Sequence, residues 1–282
     1  MNYSDITIGI VTYKSESVIF DCLKSIKKIK KIIIFDNSND KQLKYKVKKK
    51  YPHIRFELSR KNLGYGGGNN SILKISKTPF VLLLSPDTIL KNNCEYELLK
   101  AINKKKEFSI IAPLAKENNF GNFSKKKINK KNEIFEVDYV KGFAMLFNRN
   151  KIKKNRVFDD NIFLYLEEID LCKRLRKKNE KIYVCKKSQI IHLGAKSSNI
   201  GFEYEKCRNW HWMWSQVYFD KKFYNKFYVY KKYIFKLINS FFKILIFTIM
   251  LDKKKIIIFY MRFSGILNSL MGKKSWYRPL IN

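Results

Sequence analysis

The sequence predicts an α/β fold with a mostly parallel central sheet, followed by a basic amphipathic helical region near the end of the chain. Two patterns carry that prediction. Short apolar runs at residues 6–11, 31–35, 54–58 and 80–84 largely lack the in–out alternation of a half-exposed strand, so they suit strands buried on both faces. After the first run, Val18, Ile19, Cys22, Leu23 and Ile26 fall on one helical face, giving the strand-then-helix order that covers a parallel sheet.

The elements follow in order. "ITIGIV" leads to Thr12-Tyr13, "KIIIF" to Asp36-Asn37, and "FVLLL" to Ser85-Pro86-Asp87. Ligands of open parallel sheets bind at the carboxyl ends of the strands, so three polar tips on one edge predict a nucleotide site. Between the third and fourth runs, "NLGYGGGNN" places four glycines within residues 64–68 at the start of a short helix, where backbone can approach a ligand closely. Lys-rich "SKKKINKKNE" at 124–133 reads as a solvated loop, and "DYVKGFAMLFNR" then resumes a strand. From Phe158, "FDDNIFLYLEEIDLCKRLRKKN" predicts a helix that begins with acids and ends with bases, as the helix dipole favours.

A chain of 282 residues, 45% of them hydrophobic, can bury one large core with an appendage, and the expected division is a domain at 1–220 and a tail at 221–282. The net charge of +35 predicts an anionic partner: nucleic acid, phospholipid headgroups or a phosphorylated substrate. No nucleic-acid-binding module accompanies the charge, so nucleic acid is not the expected partner, although a basic nucleic-acid-binding protein is the main rival class. Cys22, Cys94, Cys172, Cys185 and Cys207 form no C-x-x-C pair, which argues against a zinc site or a disulfide framework and fits a reducing cytosol. A secretory signal pattern is absent before "ITIGIV", so a cytoplasmic location is expected.

Three constellations can carry chemistry. Asp87, at a strand tip behind a proline, suits a divalent cation, since Mg²⁺ or Mn²⁺ commonly bridges one or two carboxylates to substrate phosphates. Glu167, Glu168 and Asp170 crowd three carboxylates into four residues; their repulsion is expected to raise one proton affinity into the range of a general base. His192 ends the apolar run "QIIH" and can complete a metal shell, while Arg208 can steady a diphosphate.

The motifs "IGIVTYKSE", "IIFDNSND", "RKNLGYGGGNN", "LLLSPDT", "VKGFAMLFNR", "FDDNIFLYLEEIDLCKRLRKKN" and "IIHLGAKSS" stand in an order and spacing over residues 5–215 that resembles glycosyltransferase family 2, and its rhamnosyltransferase-like branch in particular. The resemblance implies a GT-A nucleotide-binding sandwich and an inverting transfer from a nucleotide diphosphate sugar, dTDP- or UDP-linked, to an acceptor hydroxyl in cell-surface or lipid-linked glycan assembly. A catalytically inactive GT-A scaffold is the rival within the fold. It further implies that Thr12, Tyr13, Glu16 and Asp36 hold the base and that Asn62 and Gly64 contact the nucleoside. Gly67, Asn69, Ser85 and Arg208 complete the implied donor-binding set, with Asp87 and His192 at Mn²⁺ or Mg²⁺ and Glu168 as base beside Glu167. Two positions depart from the family pattern: Ser85 replaces the first acid of D-x-D, and the base is Glu where Asp is commoner.

In residues 221–282, fourteen Lys or Arg face a single acid, Asp252. Lys232, Lys236, Asn239 and Lys243 share one helical face opposite Phe235, Ile238, Phe241, Phe242 and Leu245. The longest uncharged apolar run, 244–251, is far short of the roughly 20 residues of a spanning helix. An in-plane helix on the anionic inner face of the cytoplasmic membrane is therefore expected.

Overall fold

A computed structural model describes residues 1–115, 132–152, 157–194 and 196–279. The loop expected at 124–133 lies almost entirely outside the described residues. Two compact units emerge, one of residues 1–159 and 168–199 and the other of 160–167 and 200–282. The division thus falls near 200 instead of the expected 220/221, because the helix that crosses 220 packs with the later helices.

In the first unit the chain runs β1 (Ile6–Thr12), α1 (Glu16–Ser25), β2 (Lys31–Asp36), α2 (Lys41–Lys50), β3 (Arg55–Leu58), α3 (Gly64–Ile75), β4 (Phe80–Leu84), β5 (Thr88–Leu90) and α4 (Cys94–Lys104). It continues through β6 (Ile110–Ala115), β7 (Ile134–Glu136), β8 (Ala144–Asn148), α5 (Glu167–Arg176), whose first residue belongs to the other unit, and β9 (Ile182–His192). The sheet order is β3-β2-β1-β4-β8-β6-β9-β5, with β7 on β9. Strands β1, β2, β3, β4, β6 and β9 point one way, so the sheet is mostly parallel, as expected. Strand β8 runs against both of its neighbours, β4 and β6.

Both faces of the sheet are covered, which is why its strands read as apolar runs. Ile8, Ile10, Leu82 and Leu84 enter one core cluster, and Val11, Val81 and Leu83 enter the other. The glycine segment forms the first turn of α3. Gly64 takes φ +74°, open to glycine without strain, and a Cβ at Gly68 would meet the Val11 side chain at 2.8 Å. These glycines let α3 lie close against β1.

The second unit contains α6 (Phe202–Phe223), α7 (Lys226–Ile249) and α8 (Lys253–Leu270). Its small core gathers Val217, Val229, Tyr233 and Ile266, and Trp210 is fully buried. The single in-plane helix expected in the tail is instead two helices joined at Met250–Asp252 and packed on α6. Among the described residues, no helix is long and apolar enough to cross a membrane.

Candidate active site

The carboxyl ends of β1, β2 and β4 lie on one edge of the sheet, as the expected parallel order requires. Thr12 Oγ1 donates to Asp36 Oδ1 at 2.8 Å, joining the tips of β1 and β2. Asp36 is fully buried and also accepts from Ser38 Oγ at 2.9 Å and the Asp40 amide at 2.8 Å. Its carboxylate therefore holds the loop after β2 in shape. Asn37 links that loop to the glycine segment, with its Nδ2 donating to the Gly64 carbonyl at 2.9 Å and its Oδ1 accepting from the Leu63 amide at 3.1 Å. Asn62 closes the turn by accepting from the Gly64 amide at 2.9 Å.

The remaining residues expected at the donor differ in access. Tyr13 and Ser85 are half-buried at strand tips, and Gly67 is half-buried in the first turn of α3. Glu16 is exposed at the start of α1 and ion-paired with Lys46. Asn69 has no exposed surface, and neither of its side-chain polar atoms has a hydrogen-bond partner among the described residues. Arg208, in the helical unit, is exposed on α6 with Glu205 at 3.6 Å.

Two buried carboxylates of this unit behave in opposite ways. Glu95 accepts from the amides of Lys27, Lys28 and Ile29 at 2.7–3.0 Å and so stitches the α1–β2 connection to α4. Asp87 is 2% exposed, yet its Oδ1 accepts no hydrogen bond among the described residues and lies 3.5 Å from His192 Nε2. A buried carboxylate oxygen without donors is costly unless something else neutralises it. The antiparallel pairing of β5 with β9, which sets Thr88 opposite His192, brings the two side chains together. No cluster of three or more His, Cys, Asp or Glu occurs among the described residues, so a divalent cation at the Asp87–His192 pair would need further ligands from elsewhere, such as substrate oxygens.

The turn before β8 reaches from this pair to the expected base. Phe143 stacks on the His192 ring, centroids 4.2 Å apart, and its carbonyl accepts from the Ser85 amide at 2.9 Å and Thr88 Oγ1 at 3.1 Å. The adjoining Gly142 carbonyl accepts from Tyr65 of the glycine segment. A Cβ on Gly142 would lie 3.7 Å from Glu168 Cβ, so the base stands against the same turn. Burial pushes the Glu168 carboxyl above the ordinary carboxylate range, while the Lys141 ammonium and backbone N–H groups pull it back.

The expected cause of that shift needs correcting. Asp170 is fully buried and its Oδ2 is held by Arg174 Nε at 2.7 Å, while the same guanidinium donates to the Val157 carbonyl. It fixes α5 and does not crowd Glu168; desolvation raises the proton affinity. Glu167 is buried at the first position of α5. Just before it, Tyr165 and Leu166 take φ +69° and +67°, a left-handed turn that non-glycine residues adopt at some cost.

With this arrangement in view, the family model for "Glycosyl transferase family 2" matches residues 7–170, more than half of the chain. The chain belongs to glycosyltransferase family 2. Among curated relatives, the low-salt glycan biosynthesis hexosyltransferase Agl10 of Haloferax volcanii is 28% identical over 208 residues, 67% of this chain and 67% of the relative. Rhamnosyltransferase WbbL of Escherichia coli is 26% identical over 211 residues, covering 64% and 78%. The mannosyltransferase PcManGT of Pyrobaculum calidifontis, solved with GDP-Man and Mn²⁺, superposes with a TM-score of 0.60 at 9% identity, covering 96% of this chain and 88% of that one, a likeness of fold.

This family 2 glycosyltransferase has the GT-A fold that its motifs imply. Sequence reasoning named Asp87, His192 and Glu168 but missed Tyr65, Lys141, Gly142 and Phe143, which bring them onto one turn. In the sequence Lys141, Gly142 and Phe143 stand only as part of the motif "VKGFAMLFNR", and Tyr65 as part of "RKNLGYGGGNN", with nothing to assign them a partner.

Proposed function

We propose that the chain is an inverting hexosyltransferase that moves a sugar from a nucleotide diphosphate donor, dTDP- or UDP-linked, to a hydroxyl of a lipid-linked or cell-surface glycan acceptor at the inner face of the cytoplasmic membrane. The observation that carries this reading is the Gly142–Phe143 turn, which touches Glu168 on one side and the His192–Asp87 pair on the other. A rhamnosyl donor is the first candidate, since one relative is named a rhamnosyltransferase.

The residues divide the work. Thr12, Tyr13, Asp36 and the Asn62–Gly64 turn shape the nucleoside end of the cleft, with Asp36 acting through the loop it holds. Glu168 takes the acceptor hydroxyl's proton on a carboxylate oxygen as the hydroxyl oxygen bonds to the anomeric carbon and the bond from that carbon to the nucleotide diphosphate breaks. Its raised proton affinity makes it a stronger base than a solvated carboxylate. Asp87 and His192 would hold Mn²⁺ or Mg²⁺, which would supply positive charge against the departing diphosphate. Ser85, in place of an acid, leaves the cation more dependent on oxygens from the donor.

A thermal-shift panel of nucleotide sugars with and without Mn²⁺ tests the donor, because a ligand that binds only the folded state raises its melting temperature. A Mn²⁺-dependent rise with one nucleotide sugar, followed by transfer with inversion at the anomeric carbon seen by NMR, supports the reading. No shift with any nucleotide sugar at millimolar concentration rejects it.

A further inference from the structure

The polarity of α7 is the reverse of what a water-exposed helix shows. Three of its polar side chains turn towards α6: Lys232 Nζ pairs with Asp220 Oδ2 at 2.7 Å, Tyr233 donates to the same oxygen at 2.8 Å, and Lys236 Nζ reaches Gln216 Oε1 at 3.0 Å. Val229 and Tyr233 enter the core, but many of its large apolar side chains face solvent. Phe227, Ile234, Ile238, Leu245 and Ile249 recur at intervals of seven, four, seven and four, so they form one stripe on the exposed face. That stripe runs for about 33 Å at the helical rise per residue. It continues into the turn after α7, where Ile249 is 84% and Leu251 82% exposed.

A ridge of this extent is larger than the scattered apolar residues of an ordinary surface and calls for a partner. We propose that the outer face of α7 and the turn at 249–251 form a docking surface for an anionic lipid bilayer, lying in the plane of the interface. This inference rests on the membrane location in the reading above and names the surface responsible.

Charge selects the occupant. Lys226 and Lys231 stand exposed near one end of the ridge, and Lys253, Lys254 and Lys255 follow the turn at the other. Residues 221–282 carry fourteen bases against one acid, a balance of 14 − 1 = +13. A second copy would bring two such surfaces together against mutual repulsion, whereas phospholipid headgroups neutralise them while the acyl region receives Phe, Ile and Leu. Nucleic acid would match the lysines and leave the aliphatic ridge in water. None of the described helices is apolar and long enough to span, which leaves the in-plane arrangement.

The test is flotation of the full-length protein with vesicles of phosphatidylcholine alone or with about 30% phosphatidylglycerol. The wild type is expected to float with the anionic vesicles. The quadruple variant Phe235→Ser, Phe242→Ser, Ile249→Ser, Leu251→Ser should lose about tenfold or more in partitioning with its melting temperature unchanged. Lys253→Gln with Lys254→Gln should weaken partitioning severalfold and make it less salt-sensitive. Wild-type protein that stays with the soluble fraction, or a serine variant that floats like wild type, overturns the docking surface. So does a wild-type dimer that the serine variant converts to monomer without loss of flotation. Transfer to a detergent-solubilised acceptor reads the catalytic function separately: it stays intact in the serine variant, and its loss in Glu168→Gln leaves flotation untouched.

Discussion

The sheet unit and the helical unit solve opposite problems with similar residues. In the sheet unit, apolar side chains fill both faces and the buried acids Asp36, Glu95 and Asp170 each have hydrogen-bond donors or a guanidinium. In the helical unit, the acid Asp220 and two lysines lie inside the packing of α6 and α7, while Phe, Ile and Leu face out. Burial of apolar surface accounts for the first arrangement. The second is the arrangement expected if, as proposed, a lipid surface meets the outer face of α7. Within the sheet unit Asp87 differs in the same sense on a smaller scale, for its Oδ1 lacks the donors that the carboxylates of Asp36 and Glu95 have among the described residues. Departures from the folding rule mark the places that await a partner.

Substitutions can break or sharpen this comparison. The largest effect is expected for Glu168→Gln, which should lower kcat by about 10³-fold while leaving the fold intact. Asp87→Asn should cost on the order of 10²-fold in transfer yet leave the melting temperature unchanged or raised, because a buried carboxylate oxygen without donors is removed. Glu95→Gln should do the reverse, keeping turnover and destabilising the chain by about 2 kcal/mol through its weakened bonds to three amides. If both variants lost stability equally, the distinction between structural and functional carboxylates would fail. In the helical unit, Asp220→Asn should destabilise by about 1–2 kcal/mol in chemical denaturation, since it weakens the contacts of Lys232 and Tyr233.

The smallest expected change is a shift along the pH axis. Glu168 works as a base only when ionised, so transfer should rise with pH along a limb above the ordinary carboxylate range. Lys141→Met removes the nearby positive charge and should move that limb to higher pH, read from kcat across a pH series. For stability the sign is opposite. A carboxyl with a raised folded-state pKa favours folding below its unfolded value, and the contribution disappears as pH rises through the folded value. Glu168→Gln should remove that slope from the denaturation midpoint.

The order of strands and helices was legible because apolar periodicity is local: "ITIGIV", "KIIIF" and "FVLLL" each announce a strand buried on both faces without reference to their neighbours. The candidate site residues could be named for a similar reason, as Asp87, Glu168 and His192 sit in motifs with their own spacing. Pairing between distant segments was not. Antiparallel insertion of β8 between β4 and β6, the Phe143 ring on His192, and Tyr65 on Gly142 depend on register set by the packed sheet. The same limit governs α7. Sequence alone fixes that the helix has an apolar and a basic side, but a helical wheel has no inside or outside until another element packs against it, and here Asp220 and Gln216 of α6 drew the polar side inward.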